Sequence, residues 1–201
     1  MTTAKTQVDG RTARRDRNSE AVLDAVRELF VEGNYTPTAE AVADRSGVSL
    51  RSVYRYFEDT EALFRAAIAR RVALAEPLFV FPDLGEGELD DRIVRLVDHR
   101  LALYAALGPE ARAAVLRGPS APLVSEALDA RRRQLFAQLE EHFTPELRSI
   151  GGVRAKALLR CMDSLLQFES LEHLSRRSDL TPARVRRVLV TGIRALLAES
   201  E

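Results

Sequence analysis

Apolar side chains recur along this chain at spacings of three and four residues, the period of an α-helix that packs on one face. In the first such stretch Val22, Val26 and Phe30 form one stripe, which predicts a helix from about residue 18 to residue 32. Stripes of the same period continue almost to the C-terminus. The pattern therefore predicts a mostly helical protein.

Two short helices joined by a tight turn are predicted to follow the first helix. Thr38 is suited to cap the first of them, because its hydroxyl can accept a free backbone N–H. Gly47 lies where this helix should stop, since glycine takes a positive φ without steric cost. Ser49 is then placed to cap a second helix from Leu50 to Tyr56. This spacing is that of a helix-turn-helix, whose second helix enters the major groove of DNA; the alternative is an ordinary helical hairpin.

The second helix carries groups suited to DNA on its predicted outer side. Arg51 and Arg55 can each bind guanine through two hydrogen bonds, and Ser52 can reach a base or a phosphate. Tyr54 and Tyr56 each place a hydroxyl at the tip of an aromatic ring, where it suits a phosphate oxygen. In an ordinary hairpin the arginines would instead be solvated and the tyrosines packed.

Residues 1–17 are polar and are predicted to form a flexible basic arm. Arg14 and Arg15 belong to a cluster of arginines there, which could lie on phosphates or in the minor groove. A solvated tail is equally compatible with the sequence. The predicted DNA-contacting residues are Arg14, Arg15, Thr38, Ser49, Leu50, Arg51, Ser52, Tyr54, Arg55 and Tyr56.

The stretch LFVEGNYTPTAEAVADRSGVSLRSVYRYFEDTEALF resembles the N-terminal domain of the TetR family of bacterial transcriptional regulators. The residues that carry the resemblance are Phe30, Gly33 and Tyr35 around the first turn, Thr38, the turn of Gly47, Val48 and Ser49, the group Tyr54, Tyr56 and Phe57, and the helix opening Glu61, Ala62, Leu63 and Phe64. The resemblance covers about the first third of the chain.

Three positions depart from the family's pattern. Asn34 stands where the family usually has its turn glycine, and Arg51, Ser52 and Val53 replace Gly-Thr-Leu. Thr60 replaces a lysine that helps hold the DNA backbone in the family, which puts that phosphate contact in doubt.

The resemblance implies an all-α protein with two parts. A three-helix helix-turn-helix DNA-binding domain with a connecting helix is expected at residues 18–76, and a helical ligand-binding and dimerisation domain at residues 77–201. The implied function is that of a ligand-responsive transcriptional repressor, which binds a palindromic operator in double-stranded DNA as a homodimer. The alternative is a helical small-molecule-binding or scaffolding dimer without DNA-binding activity.

Further helices are predicted in the C-terminal part, from Leu89 to Gly108, then to Leu116, from Pro122 to Phe143, from Val153 to Ser175, and after Thr181. The helix from Val153 is apolar over more than one face and the final helix carries an apolar stripe, which suggests that the two are buried against a partner as well as against the chain's own core. A single core that absorbs both is almost as well supported. The resemblance implies that they form the homodimer interface, where Gly192 would permit close approach.

An effector pocket between the body helices is expected by analogy with the family, because clefts in helical bundles commonly bind small molecules. The candidate lining residues are His99, Leu103, Tyr104, Phe136, Cys161, Gln167 and Phe168. For each of them a role in core packing is the simpler alternative, and Cys161 in particular is expected to be a buried thiol. The identity of the small-molecule effector is left open.

Composition limits the remaining possibilities. The chain of 201 residues has 30 Lys and Arg and 30 Asp and Glu, so a DNA-binding face has to arise from local segregation of charge. A single cysteine provides no disulfide framework and suits a cytoplasmic location. No apolar run approaches a membrane-spanning length, so no membrane association is expected. The three histidines lack metal-ligand spacing and no phosphate loop or nucleophile elbow occurs, so neither catalysis, nor a metal, nor a cofactor is expected.

Overall fold

The computed structural model describes residues 10–198, apart from the side chains of Arg11 and Ser120. This part of the chain forms ten α-helices and no strand, which confirms the all-α class. The helices are α1 (Gly10–Val31), α2 (Ala39–Ser46), α3 (Leu50–Tyr56), α4 (Thr60–Leu74), α5 (Leu89–Arg117), α6 (Pro122–His142), α7 (Thr144–Ile150), α8 (Gly152–Leu166), α9 (Phe168–Glu172) and α10 (Pro182–Ala198). Within the described range, no helix has the length and apolar character needed to cross a membrane.

The first four helices form a compact head around one apolar core. Val22 and Phe30 of α1 are fully buried, and Val42 of α2 and Val53 of α3 pack into the same cluster. Phe64 of α4 lies against Phe30, with the two ring centroids 6.0 Å apart. The helical stripes predicted from the sequence are thus the surfaces on which the head is assembled.

The body is a bundle whose core joins α5, α6, α8 and α10. Ile93, Leu139, Met162 and Ile193 represent these four helices in one buried cluster. Most apolar positions of α8 and α10 are satisfied within this core, in agreement with the single-core alternative. An outer strip remains, in which Cys161 and Val188 are exposed beside the half-buried Leu196.

The first helix begins earlier than expected, because α1 starts at Gly10 rather than near residue 18. Arg14, Arg15 and Arg17 therefore lie on a helix and not in a flexible arm. Their good helix propensity allows the helix to extend beyond its packed section. The remainder of the predicted arm, residues 1–9, lies outside the described residues.

The prediction that Gly108 and Pro109 end a helix is wrong, because α5 runs through both. A proline removes one N–H from a helix, but packing on either side can outweigh that loss. Leu107, Ala113 and Ala114 are buried before and after the proline. Tertiary contacts therefore carry α5 across a strong local stop signal.

The helix predicted from Val153 to Ser175 is divided in two. Gln167 has an extended backbone, with φ of −66° and ψ of 152°, and separates α8 from α9. Phe168 and Leu171 of α9 line an internal cavity, which an uninterrupted continuation of α8 would orient differently. After α9 the chain passes through a π-helical turn, His173–Arg177, before α10.

Candidate nucleic-acid interface and effector cavity

The turn between α2 and α3 has the geometry that its sequence predicts. The Thr38 hydroxyl accepts a hydrogen bond from the backbone N–H of Ala41 at 3.2 Å, which caps α2. Gly47 ends α2 with a φ of 67°, in the left-handed region. The Ser46 hydroxyl accepts from the N–H of Val48 at 3.3 Å and closes the turn. The position of α3 relative to α2 is therefore fixed by local hydrogen bonds.

Ser49 does not cap α3 with its side chain, in contrast to the prediction. Its backbone carbonyl accepts from the N–H groups of Ser52 and Val53, while its hydroxyl donates to the Ser52 hydroxyl at 3.1 Å. The two serine hydroxyls thus lie side by side at the start of α3. They form a pair of small polar groups on the outer side of the motif.

One side of α3 anchors the helix and the other is exposed. Val53 is 1% exposed, and Leu50 is half-buried against the same head core. Arg51, Tyr54 and Arg55 lie on the exposed side. The predicted contact residue Leu50 is therefore mainly a packing residue, whereas Arg51 and Tyr54 are free to meet a groove.

Arg55 and Tyr56 are held at the end of α3 by contacts to their neighbours. The Arg55 guanidinium donates to the hydroxyls of Ser52 and Tyr56, at 3.3 Å and 3.2 Å, and lies over the Tyr56 ring. The Asn18 amide of α1 donates to the same tyrosine hydroxyl at 3.4 Å. Hydrogen bonds from Asn18 and then Arg55 lower the pKa of Tyr56 from its ordinary value. The contact to Asn18 was not foreseen from the sequence, since no local pattern joins the two residues.

The N-terminal part of α1 adds positive charge next to this surface. Because Asn18 reaches Tyr56, Arg14 and Arg15 lie about one helical turn from the end of α3, at about 1.5 Å of rise per residue. Among the described residues, Arg14, Arg15, Arg51 and Arg55 have no carboxylate within 4.0 Å. The neutral chain therefore has a local basic surface, composed of these four arginines, which we call the basic face.

An apolar cavity of about 150 Å³ lies between α4 of the head and α5, α6, α8 and α9 of the body. The apolar part of its wall includes Ile68, Val72, Phe79, Leu103, Leu107, Leu128, Leu135, Phe168 and Leu171. Five charged side chains lie at the wall: Arg100, Glu110, Arg131, Arg132 and Asp163. The Arg131 guanidinium lies over the Phe79 ring, 4.3 Å from its centroid, so this half-buried arginine packs on an aromatic residue of the wall.

Four of the seven predicted lining residues meet at this cavity: Leu103, Tyr104, Gln167 and Phe168. His99 does not line it, because its ring stacks on Phe81 and its Nε2 donates to the carbonyl of Leu78 at 2.8 Å. Burial, followed by the charge of Arg100, lowers the pKa of His99. His99 is therefore a packed, neutral residue.

Phe136 and Cys161 also lie away from the cavity. Phe136 packs on the body core, and the Arg160 guanidinium covers its ring at 4.1 Å. Cys161 is exposed rather than buried, because it lies on the side of α8 that faces outward beside Gly192. Helical period alone could not distinguish the inner from the outer side of such an apolar helix.

A polar network, missed by the sequence reading, joins the cavity wall to the head. Arg112 of α5 donates to the hydroxyl of Tyr35 at 2.6 Å and to Glu172 through its Nε at 2.9 Å and also through Nη2. The Tyr104 hydroxyl at the cavity donates to the same carboxylate at 2.7 Å. We call these four residues the Arg112 network. Its directly bonded members are separated in sequence by as many as 77 residues, so no local motif could reveal it.

Metal-ligand geometry is not found in the described part of the chain, where no group of three or more His, Cys, Asp and Glu side chains is arranged to hold an ion. The polar arrangements that stand out are instead the basic face and the polar groups of the cavity.

Comparison with known proteins links this geometry to a family. Residues 22–67 match the profile described as "Bacterial regulatory proteins, tetR family". No curated protein matches the sequence. A tetR-family transcriptional regulator from Streptomyces coelicolor is 23% identical and has a TM-score of 0.68, with 92% of this chain and 82% of that chain covered.

Two further solved structures are similar over nearly their full length. A transcriptional regulator from Rhodococcus sp. Rha1 is 18% identical, with a TM-score of 0.67 and coverage of 92% of this chain and 96% of that chain. A tetR-family regulator from Mesorhizobium loti is 18% identical, with a TM-score of 0.65 and coverage of 92% and 98%, respectively. At these identities the likeness concerns the fold of head and body together.

Proposed function

We propose that this chain, which carries the N-terminal domain of the TetR family of bacterial regulatory proteins, is a cytoplasmic repressor of transcription. It binds a palindromic DNA operator as a homodimer and responds to a small molecule. The observation that carries the proposal is the basic face. It places the exposed Arg51 and Arg55 on a helix of the type that enters the major groove, with Arg14 and Arg15 of α1 beside them.

The contacts divide into base reading and backbone binding. Arg51 is exposed at the start of α3, where a recognition helix points its side chains at base edges, and an arginine there can bind guanine in a bidentate manner. Tyr54, Arg14 and Arg15 are suited to phosphates, which position the protein without reading sequence. Thr38 supplies a hydroxyl at the start of α2, and Ser49 and Ser52 supply hydroxyls at the start of α3. Arg55 would have to leave Tyr56, or use its remaining N–H groups, to reach DNA.

Two copies are needed for this mode of binding, because one recognition helix reads only a half-site. The proposed dimer surface is the outer strip of α8 and α10, which contains Cys161, Leu165, Val188, Gly192, Ala195 and Leu196. Gly192 has a role within the chain as well, since a Cβ there would lie 3.3 Å from the Leu165 side chain. A ligand in the body cavity would then change the spacing of the two heads.

The experiment is binding of the purified protein to its own upstream DNA, measured by fluorescence anisotropy across a salt series with random duplex as competitor. Arg51→Ala is expected to weaken specific binding by about 1–3 kcal/mol and to relax the base preference, whereas Tyr54→Phe should lose a smaller, sequence-independent contribution. Arg148→Ala, which removes an exposed arginine of α7, is the matched control and should change neither.

Unchanged affinity and unchanged salt dependence in both variants would show that α3 is not the reading helix. If the wild-type protein prefers no upstream duplex, selection from a random duplex pool identifies its site. If that selection also returns no sequence, the alternative of a helical ligand-binding dimer without DNA-binding activity is favoured.

A further inference from the structure

Two opposite charges at the cavity wall, one buried and one half-buried, do not form an ion pair with each other. Arg100 of α5 is 3% exposed, and Asp163 of α8 is half-buried. Both line the cavity and interact electrostatically, yet within the described structure neither has an oppositely charged group within 4.0 Å. Buried charges of this kind are costly unless a partner compensates them.

The existing partners of Arg100 are all neutral. Its Nη1 donates to His99 Nδ1 and to the Gln138 side-chain oxygen, both at 3.0 Å, and its Nη2 donates to the carbonyl of Leu135 at 2.9 Å. A guanidinium has five N–H groups, so Nε and one N–H of Nη2 have no acceptor among the described residues. Burial lowers the pKa of Arg100 to about 10, although the charge of Asp163 acts in the opposite direction.

Among the described residues, Asp163 has one hydrogen-bond partner, the Gln167 amide, which donates to its Oδ1 at 2.8 Å. Burial raises the pKa of the Asp163 carboxyl above its ordinary value, more than Gln167 and the nearby arginines lower it. The carboxylate therefore has acceptor capacity to spare at the same cavity where Arg100 has donors to spare. The space between them exceeds the reach of a direct ion pair.

We infer that the cavity binds a small, mostly apolar molecule whose one polar group is a neutral amide, with its carbonyl on Arg100 and its N–H on Asp163. An ammonium group would pair with Asp163 but would approach the positive charge of Arg100. A carboxylate would pair with Arg100 but would approach the negative charge of Asp163. An amide meets both charges with the correct dipole and adds no charge of its own.

The volume of the cavity limits the size of the apolar part of the ligand. An apolar cavity of roughly 150 Å³ holds a benzene molecule, and this cavity has a similar volume of about 150 Å³. Tyr104 and Phe168 lie at the same wall and face one another with ring centroids 5.8 Å apart. An aromatic ring of benzene's size matches both the volume and the aromatic wall, and the amide would extend from it toward Arg100 and Asp163.

This inference depends on the proposed function only for its regulatory meaning, because binding is measured without DNA. The probes are benzamide, benzylamine, benzoate and benzyl alcohol, titrated into the full-length protein by calorimetry at up to about 10 mM. Benzamide should bind about tenfold or more tightly than each of the other three, since two hydrogen bonds to charged groups are formed.

Asp163→Ala should reduce benzamide affinity by about tenfold, and Asp91→Ala, an exposed aspartate at the start of α5, should leave it unchanged. Arg100→Lys keeps a buried cation but alters the direction of its donors, and should also weaken benzamide. Circular dichroism of each variant verifies that it is folded. A stronger response to benzylamine or benzoate, equal binding of benzyl alcohol, or no binding of any probe would overturn the inference.

A separate measurement distinguishes this inference from the proposed function. The benzamide-bound protein is titrated onto the selected operator duplex, and a change in DNA affinity is expected. Benzamide binding without any DNA binding by the protein would contradict the proposed repressor but retain the amide site. DNA binding without benzamide binding would contradict the amide site but leave the proposed repressor intact.

Discussion

Gly47 fixes the angle between α2 and α3, because its left-handed backbone lets the chain turn within one residue. A Cβ at this position would meet no heavy atom within 4 Å. Any cost of a side chain there comes from the backbone conformation and not from a steric clash. A substitution of Gly47 therefore measures how much the left-handed turn contributes to stability.

Gly47→Ala is expected to lower the free energy of unfolding by about 1–2 kcal/mol, the cost of placing a residue with a Cβ in the left-handed region. The matched control is Gly118→Ala, since Gly118 has a helical backbone with φ of −44° and equally open space. That control should be neutral or slightly stabilising. Urea unfolding monitored by circular dichroism measures both, and equal effects of the two substitutions would contradict the strain argument.

At the scale of elements, α8 and α10 each have an inner and an outer side. The inner side is buried in the body core through residues such as Met162 and Ile193. The outer side leaves Val188 and Cys161 exposed, with Leu196 half-buried between small residues. This apolar outer strip is the surface proposed above for a second copy of the chain.

Leu196→Arg is expected to shift a dimer to monomers, because it places an unpaired charge in the centre of the proposed interface. Sedimentation velocity at several protein concentrations measures the shift. Leu116→Arg is the control, since Leu116 is 58% exposed on α5 and does not lie on the strip. A dimer that survives Leu196→Arg, or one that is lost equally in the control, would place the interface elsewhere.

At the scale of the whole molecule, α5 connects the cavity to the head. Arg112 joins Tyr35 of the head to Glu172 of the body, and Tyr104 joins the same carboxylate to the cavity wall. Arg117, further along α5, lies 3.7 Å from the centroid of the Phe64 ring. A ligand that displaces Tyr104 would therefore disturb a contact that reaches the first turn of the head.

The Arg112 network makes the free energy of unfolding depend on pH in the acidic range. Burial opposes the ionised form of Glu172, but hydrogen bonds from Arg112 and Tyr104 outweigh it, so the pKa of this carboxyl lies below its ordinary 4.5. A carboxylate with a lowered folded-state pKa contributes stability above its unfolded-state pKa, and this contribution is lost as the pH falls through the folded-state value.

Glu172→Gln should therefore destabilise the protein at about pH 7, and its stability should change less than that of the wild type between about pH 5 and about pH 3. Urea unfolding at each pH measures the difference. Glu169→Gln, an exposed glutamate of the same helix that pairs with Arg132, is the control and should follow the wild type more closely. An unaltered pH dependence in Glu172→Gln would show that the network contributes nothing to folding.

The sequence by itself determined the features that depend on neighbouring residues. The cap at Thr38, the left-handed Gly47 and the bounds of α3 all follow from local hydrogen bonds and backbone preferences, so each was predicted correctly. The exposed side of α3 also followed from helical period, which separates Val53 from Arg51. Such signals need no knowledge of distant parts of the chain.

Only the tertiary structure decided the features that depend on distant residues. Packing allows α5 to continue through Pro109, a residue that favours a helix end. The break at Gln167 places Phe168 at the cavity, whereas Cys161 of α8 lies outside it. Arg112 found Tyr35 across 77 residues of sequence. Helical period shows which residues share one face of a helix, but it does not show which other helix packs against that face. The cavity and its link to the head could therefore not be derived from the sequence.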